Sequence, residues 1–172
     1  MNKLFLSYTQ VEHLVQTILR DIEKGPWRPD YIVGLTRGGL LPANLLSQYL
    51  DTKMYSLDVA LRDHTKDAMG PESNCWMSED ALAGKNILIV DDINDSGATL
   101  DWIQNDWKTT CRPDSPEWKS VFGGNVRIAT LVNNISSDFK EISYFGMEMD
   151  KEVEDLWVDF PWENWWTAKP ED

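Results

Sequence analysis

Hydrophobic and polar residues follow two different periods along this chain, and these periods predict a succession of helices and strands. Apolar residues recur at helical spacing after the candidate N-caps Ser7 and Thr9, and the pattern predicts a helix that continues to about Lys24. Gln10 and Glu12 stand three residues after these caps, in capping-box register. The turn-forming segment GPWRPD ends this helix, and the YIVGL that follows is typical of a short buried strand.

Strand and helix patterns alternate through most of the remaining sequence. The predicted elements are, in order, the helix LLPANLLSQYL, the strands KMYSLDVAL and NILIV, the helix ATLDWIQNDW, and the strands VRIATLV and EISYFGMEM. This alternation predicts an α/β fold with a central, mainly parallel sheet flanked by helices. Ligands of such sheets bind beyond the carboxyl ends of the strands, where the segments TRGG and DDINDSGAT are expected to lie.

Two segments depart from the alternation. The pattern lapses over residues 62–85, which we predict to be a long mobile loop of the kind that often has a function. Residues 140–172 are expected to form a small C-terminal hood over a site, or a plug for the core. Four tryptophans of this part fall within ten residues: Trp157, Trp162, Trp165 and Trp166. The 172 residues show no repeat or linker, and we expect a single domain.

Composition narrows the classes of function. The formal net charge of -13 and the isoelectric point near 4.5 argue against a nucleic-acid partner, because no general basic surface is available to neutralise phosphates. Cys75 and Cys111 belong to no CxxC pair, so neither a disulfide framework nor a zinc cluster is expected. With no apolar stretch of signal-peptide or membrane-span length, we expect a cytoplasmic protein that does not enter the membrane.

The most informative segment is ILIVDDINDSGATL, in which an apolar strand leads into two acids and a short polar turn. Backbone N–H groups of DSGAT, just before a predicted helix, can form an anion nest suited to a phosphate. Asp91 and Asp92 can only accept hydrogen bonds when ionised, so they suit sugar hydroxyls or the water shell of a metal. Together these groups indicate a site for a ribose 5-phosphate.

Two other interpretations of this segment are open. Asp92, Asn94, Ser96 and Gly97 match the first half of an EF-hand loop, although Ile103 stands where that loop requires Glu and a strand precedes it. The segment can also be an ordinary solvated acidic turn.

The same segment resembles the phosphoribosyl-pyrophosphate (PRPP) binding motif of the type I phosphoribosyltransferases, in which apolar residues precede two acids and a [ST]-G-x-T loop. VGLTRGGLLPANLL is similar to the pyrophosphate loop and following helix of the bacterial xanthine-guanine and other 6-oxopurine members, and LWVDFPW to their segment that closes over the base. The resemblance implies the type I phosphoribosyltransferase fold. It also implies transfer of a phosphoribosyl group from PRPP to guanine, hypoxanthine or xanthine in purine salvage, with release of pyrophosphate.

The resemblance also implies roles for single residues. On the PRPP side, Asp91 and Asp92 would contact the ribose, Asp95, Ser96, Gly97, Ala98 and Thr99 the 5-phosphate, and Thr36, Arg37 and Gly38 the pyrophosphate. On the base side, Trp157 would stack, Val158 would offer backbone groups, and Asp95 would be catalytic by guiding the proton of the attacking nitrogen. Mg²⁺ would bind near Asp91, Asp92 and Glu163, directly or through water. A cis peptide between Thr36 and Arg37 and a homodimeric or homotetrameric assembly are also expected.

The sequence departs from its relatives at two places. Enzymes for 6-oxopurines place a lysine at the end of the strand that corresponds to IATLVNN of this chain. Asn133 stands at that position here, and we predict that this neutral donor contacts the base. The loop carries Arg62, His64 and Lys66, which would be ligand contacts or ordinary surface residues. Taken alone, the TRGG segment could be an ordinary turn, and Trp157 could be a core-packing residue. Two alternatives therefore remain, a PRPP-binding regulatory protein without turnover and a phosphoribosyltransferase for a non-purine base.

Overall fold

The computed structural model describes residues 1–59 and 75–169 of the 172-residue chain. The first half contains strand β1 (Asn2–Phe5), helix α1 (Tyr8–Glu23), strand β2 (Tyr31–Thr36), helix α2 (Leu40–Leu50), strand β3 (Met54–Asp58) and helix α3 (Cys75–Leu82). The second half contains strand β4 (Ile87–Asn94), helix α4 (Ala98–Thr110), a 3-10 helix (Pro116–Ser120), and strands β5 (Val126–Asn134), β6 (Tyr144–Met149) and β7 (Leu156–Asp159). No helix within these described ranges is long and apolar enough to cross a membrane.

Five strands form one parallel sheet in the order β3-β2-β4-β5-β6. This arrangement confirms the predicted α/β fold with a parallel sheet flanked by helices. β4 lies at the centre of the sheet, between β2 and β5, and the side chains of Ile87, Leu88, Ile89 and Val90 are fully buried. The carboxyl end of β4 is therefore enclosed on both sides by the ends of neighbouring strands.

The two faces of the sheet are covered by different helices. On one face, Leu88 and Val90 pack with Ile18 of α1 and Leu46 of α2. On the other face, Ile87 and Ile89 pack with apolar residues of α3 and α4, including Met77, Ile103 and the fully buried Trp107. Burial on both faces explains why β4 begins as a continuous apolar run rather than an alternating one.

A second, two-stranded sheet makes the hood. β1 pairs in parallel with β7, and Asn2 to Phe5 face Leu156 to Asp159 in register. The hood therefore includes the N-terminus, whose four-residue strand was too short to be predicted. The predicted hood range was too long at its start, because β6 hydrogen-bonds to β5 as the edge strand of the main sheet.

The predicted loop over residues 62–85 is wrong in its last part, where α3 forms. Only Met77, Ser78 and Ala81 of this eight-residue helix are buried, so too few apolar positions repeat to give a clear helical period. The rest of the predicted loop, up to residue 74 and with Arg62, His64 and Lys66, lies outside the described residues.

Candidate active site

β4 continues beyond its buried apolar half and carries two acids at its carboxyl end. The Asp91 carboxylate accepts a hydrogen bond from the N–H of Asp92 at 2.9 Å, and the Asp92 carboxylate accepts one from the N–H of Ile93 at 2.8 Å. Both side chains line a cavity of about 420 Å³. The two acids thus face one space from the centre of the sheet.

The turn after β4, residues 95–99, lines the same cavity and leads directly into α4. Gly97 has a φ of +90°, and a Cβ there would lie 2.6 Å from the Cβ of Phe139, so the turn requires glycine at this position. The Ser96 hydroxyl accepts a hydrogen bond from the N–H of Ala98 at 3.3 Å. Because the first N–H groups of a helix lack intrahelical partners, the turn presents donors suited to an anion.

The carbonyl groups of this turn accept hydrogen bonds from residues at and after the end of β5. The Asn134 amide donates to the Asp95 carbonyl at 2.9 Å, and the N–H of Asp138 donates to the Ser96 carbonyl at 3.1 Å. Asn134, the last residue of β5, is buried, and together with Asp138 it fixes the turn from behind.

The TRGG segment lies beside the acids of β4. The Thr36–Arg37 peptide is cis, which confirms the predicted cis bond. A Cβ at Gly38 would overlap the carboxylate of Asp92, so this loop and the end of β4 are in close contact. The Thr36 hydroxyl donates to the Asp58 carboxylate at 3.0 Å, and Arg37 is exposed. Within the described part of the chain, residues 36–38 adjoin the 420 Å³ cavity without lining it.

The hood supplies the opposite wall of the cavity. Its lining residues from this side are Trp157, Val158, Phe160 and Glu163. Trp157 is 40% exposed, whereas Val158 and Phe160 are buried in the core. Trp157 thus presents free aromatic surface at the cavity, as a stacking platform requires.

The acids of the site lie in an unfavourable environment for negative charge. Burial raises the pKa of the Asp91 carboxyl well above its usual value, and repulsion by Asp92 raises it further. Burial also raises the pKa of Asp92. The pKa of Glu163 is raised by burial and then by the negative charges of Asp92 and Asp159. These carboxyls therefore favour a positively charged group beside them.

Asn133 differs from the other predicted base contacts, Trp157 and Val158, in that it does not line the cavity formed by the described residues. Its amide oxygen accepts a hydrogen bond from Asn94 at 2.9 Å, and it does not belong to the described lining of the cavity. Asn94 is 1% exposed and also contacts the Phe139 carbonyl and the Ser137 hydroxyl. An Asn94 side chain bound in this way cannot serve as a calcium ligand, which contradicts the EF-hand interpretation.

Lys151, which follows β6, was missed in the sequence. Its ammonium lies 2.7 Å from the Asp95 carboxylate and 5.6 Å from the ring centroid of Trp157, and it lines the cavity. In the sequence Lys151 is one basic residue within the acidic segment MEMDKEVED, and no local pattern there indicates a site.

The profile of the phosphoribosyl transferase domain matches residues 5–165, which is nearly the whole chain. This chain belongs to the phosphoribosyl transferase family. The match includes the end of β4, the turn after it and the hood strand β7, so every wall of the cavity lies within the family domain.

Known phosphoribosyltransferases resemble the chain at low identity. Xanthine phosphoribosyltransferase 1 of Saccharomyces cerevisiae is 28% identical over 118 residues, and the alignment covers 57% of this chain but only 56% of the yeast protein. Xanthine-guanine phosphoribosyltransferase of Cereibacter sphaeroides is 28% identical over 146 residues, covering 82% of this chain and 72% of that protein. The crystal structure of a purine phosphoribosyltransferase from Pyrococcus horikoshii shares the fold, with a TM-score of 0.66, 24% identity and full coverage of both chains.

Proposed function

We propose that this phosphoribosyltransferase transfers the 5-phosphoribosyl group of PRPP to a purine base and releases pyrophosphate. The observation that carries the proposal is the shared cavity of Asp91, Asp92 and residues 95–99, with Trp157 on the opposite wall. This cavity combines acceptors for sugar hydroxyls, donors for a phosphate and an aromatic surface for a base. A PRPP molecule and a flat heterocycle need these three features.

PRPP would bind along the carboxyl edge of the sheet. Asp91 and Asp92 would accept hydrogen bonds from the ribose hydroxyls, and the N–H groups of residues 95–99 at the start of α4 would bind the 5-phosphate. The pyrophosphate would contact Thr36, Arg37 and Gly38, since Gly38 adjoins Asp92. The exposed guanidinium of Arg37 is a suitable donor to phosphate oxygens.

The chemistry of the acids fits Mg²⁺. Burial and repulsion raise the pKa of the Asp91 carboxyl, and a divalent cation nearby would favour its ionised form. Within the described residues no group of three or more His, Cys, Asp or Glu side chains is arranged to hold a metal by itself. Mg²⁺ commonly binds one or two carboxylates together with water and substrate phosphates. When bound, the ion would offset the charge of the departing pyrophosphate, with Glu163 as a further carboxylate on the hood side.

The reaction is a displacement at C1 of the ribose. A ring nitrogen of the base forms a bond to C1, the bond from C1 to the pyrophosphate oxygen breaks, and the pyrophosphate keeps the electron pair. The nearby carboxylates of Asp91 and Asp92 would stabilise the positive charge that develops on the ribose. Asp95 would accept or guide the proton that leaves the attacking nitrogen.

A purine acceptor is favoured by the hood and by the relatives. Trp157 offers a face on which a purine can stack, and Val158 lines the cavity beside it. The yeast and Cereibacter relatives are a xanthine and a xanthine-guanine phosphoribosyltransferase by name. We therefore extend the proposal to guanine, hypoxanthine and xanthine, and thus to purine salvage.

The test is release of pyrophosphate from PRPP and Mg²⁺ with a panel of purines and pyrimidines. We expect release that depends on an oxopurine. Release with a non-purine base alone would assign another acceptor, and PRPP binding without release would indicate a regulatory protein. No binding of PRPP at all would refute the assignment of the cavity.

A further inference from the structure

We infer that Asn94, Asn133 and Ser137 are positioning residues for the 5-phosphate of PRPP, because their hydrogen bonds hold the phosphate turn, residues 95–99, in the shape that presents its donors. The inference deepens the proposed function, on which it rests, since it concerns how the same site holds the phosphate. It also gives Asn133 a part on the PRPP side of the cavity instead of a contact with the base.

Asn94, the last residue of β4, is the centre of a buried hydrogen-bond network. Its side chain is in a residue that is 1% exposed, and its amide nitrogen donates to the Asn133 amide oxygen at 2.9 Å and to the Phe139 carbonyl at 3.0 Å. Its amide oxygen accepts a hydrogen bond from the Ser137 hydroxyl at 2.9 Å. The same hydroxyl, in a residue that is 2% exposed, accepts the N–H of Phe139 at 3.1 Å. One asparagine thus joins the end of β4 to the end of β5 and to the segment that follows it, residues 135–139.

This joined segment holds the carbonyl groups of the phosphate turn. The N–H of Asp138 donates to the Ser96 carbonyl at 3.1 Å, and the Asn134 amide donates to the Asp95 carbonyl at 2.9 Å. In a planar trans peptide the C=O and the following N–H point in opposite directions. The bonds that fix these two carbonyls therefore also fix the N–H groups of Ser96 and Gly97, which point away from the supporting segment.

Gly97 lies directly against the network. A Cβ at this position would lie 2.6 Å from the Ser137 hydroxyl oxygen and 2.6 Å from the backbone nitrogen of Phe139. Because packing here leaves no spare space, a shift of Ser137 or Phe139 also moves the turn. A phosphate is held by several N–H groups at once, so a displaced turn weakens several hydrogen bonds together.

The members of the network depend on one another because they are buried. Without the Ser137 hydroxyl, the Asn94 amide oxygen and the Phe139 N–H each lose a partner, and without the Asn133 side chain the Asn94 amide nitrogen loses an acceptor. Buried groups left unpaired are costly, so the segment rearranges. Asn133 and Ser137 do not belong to the described lining of the cavity, so their loss acts through the turn and not through a lost contact with the ligand.

The experiment measures the binding of two ligands that need no turnover. Isothermal titration calorimetry would be run with ribose 5-phosphate, which needs the phosphate turn, and with pyrophosphate, which the proposed function assigns to the TRGG loop. The variants are Ser137→Ala and Asn133→Ala. Since the loss of the buried Ser137 hydroxyl also lowers stability, the half-buried Asn133 supplies the second variant.

Ser78→Ala is the matched control. Ser78 is a fully buried serine of α3 whose hydroxyl donates to the Cys75 carbonyl at 3.0 Å, and it lies outside the described lining of the cavity. The control therefore loses a buried hydroxyl of the same kind, away from the phosphate turn. Circular dichroism and the melting temperature check that each variant folds.

We expect Ser137→Ala and Asn133→Ala to bind ribose 5-phosphate about 10-fold more weakly than the wild type, the size expected when buried partners are left unpaired. Their affinity for pyrophosphate should be nearly unchanged, and Ser78→Ala should match the wild type with both ligands. Unchanged affinity for ribose 5-phosphate in the folded variants, or an equal loss of affinity for both ligands, would overturn the inference.

Turnover separates this role of Asn133 from a contact with the base. With PRPP, Mg²⁺ and guanine, Asn133→Ala should raise the KM for PRPP and leave the KM for guanine nearly unchanged. A raised KM for guanine with an unchanged KM for PRPP would show that Asn133 contacts the base, and would contradict the inference.

The same measurements distinguish a failure of this inference from a failure of the proposed function. If the wild type binds ribose 5-phosphate but no base supports release of pyrophosphate, the proposed transfer fails, and the affinities of the variants still test the network. If the wild type does not bind ribose 5-phosphate, the assignment of the phosphate turn and the inference both fail.

Discussion

Asp91 and Asp92 are expected to help bind a ligand but to lower the stability of the folded protein when no ligand is bound. Burial raises the pKa of both carboxyls, and the negative charge of Asp92 raises that of Asp91 further, so the ionised pair is unfavourable in the folded state. Such strain is retained where a site needs charge, because binding of a cation or of hydroxyl groups offsets it. The two residues therefore give opposite expectations for stability and for binding.

Replacement of both acids by Asn tests this opposition. Asp91→Asn with Asp92→Asn should weaken PRPP binding about 100-fold or more, since two charged acceptors are lost. The melting temperature measured in EDTA at neutral pH should rise or stay equal. Calorimetry with PRPP and differential scanning calorimetry measure the two effects. Unchanged PRPP affinity would show that the ribose lies elsewhere.

Trp157 should act on the base and not on PRPP. Trp157→Ala should raise the KM for the base about 10-fold or more, the cost of one lost stacking contact, and leave the KM for PRPP nearly unchanged. Trp166→Ala is the matched control, because Trp166 is 69% exposed and lies outside the described lining of the cavity. Equal increases in both KM values would indicate lost packing rather than a lost platform.

The environment of Tyr31 predicts that the folded protein becomes less stable at alkaline pH. Tyr31 is a buried residue whose hydroxyl donates to the Asp80 carboxylate at 3.0 Å, and burial and this bond raise the pKa of Tyr31 above its usual value. The unfolded chain then ionises first as the pH rises, so the free energy of unfolding falls above about pH 10. Below that pH this effect is absent.

Tyr31→Phe removes this dependence on pH. The variant should be about 1 kcal/mol less stable at pH 7, where the hydrogen bond is lost, and should lose less stability than the wild type between pH 9 and pH 11, a range set about the tyrosine pKa of about 10. Urea denaturation at several pH values measures both. Tyr8→Phe, which removes an exposed hydroxyl, should follow the wild-type profile.

At the scale of elements, the sequence predicted correctly those helix and strand features that depend on residues close together in the chain. Helix α1 begins at the predicted cap, where Ser7 and Gln10 bond reciprocally at 3.1 and 2.8 Å. β1 and α3 were not predicted, because β1 is held by pairing with the distant β7 and α3 by packing under α4. Neither partner is visible in a short window of sequence.

The contact between the TRGG loop and β4 is also an element-scale feature. Gly38→Ala would place a Cβ on the Asp92 carboxylate and displace either the loop or the acid. We expect kcat/KM for PRPP to fall about 10-fold or more, as when a catalytic group is misplaced by a fraction of an ångström. Gly25→Ala is the control, because nothing lies within 4 Å of a Cβ there. Equal activity of the two variants would separate the loop from the site.

At the scale of the whole molecule, the residues of one wall of the cavity, at the end of β4, were easier to predict from the sequence than those of the wall that contains Trp157. The acids and the phosphate turn lie within ten residues of the end of β4, so their spacing alone indicates a ribose phosphate. The other wall combines Trp157 of β7 with Lys151 after β6, and Asn134 at the end of β5 supports Lys151 through its backbone. These residues meet only through the tertiary fold, which is why no local pattern in the sequence points to Lys151.

The most direct measurement of the central claim is the identity of the product. Wild-type protein with PRPP, Mg²⁺ and guanine would be analysed by mass spectrometry, beside the double variant with Asp91→Asn and Asp92→Asn. We expect GMP and pyrophosphate in equal amounts from the wild type and almost none from the variant, with both proteins folded by circular dichroism. Absence of any nucleoside monophosphate with guanine, hypoxanthine and xanthine, or undiminished product from the variant, would contradict the proposed site.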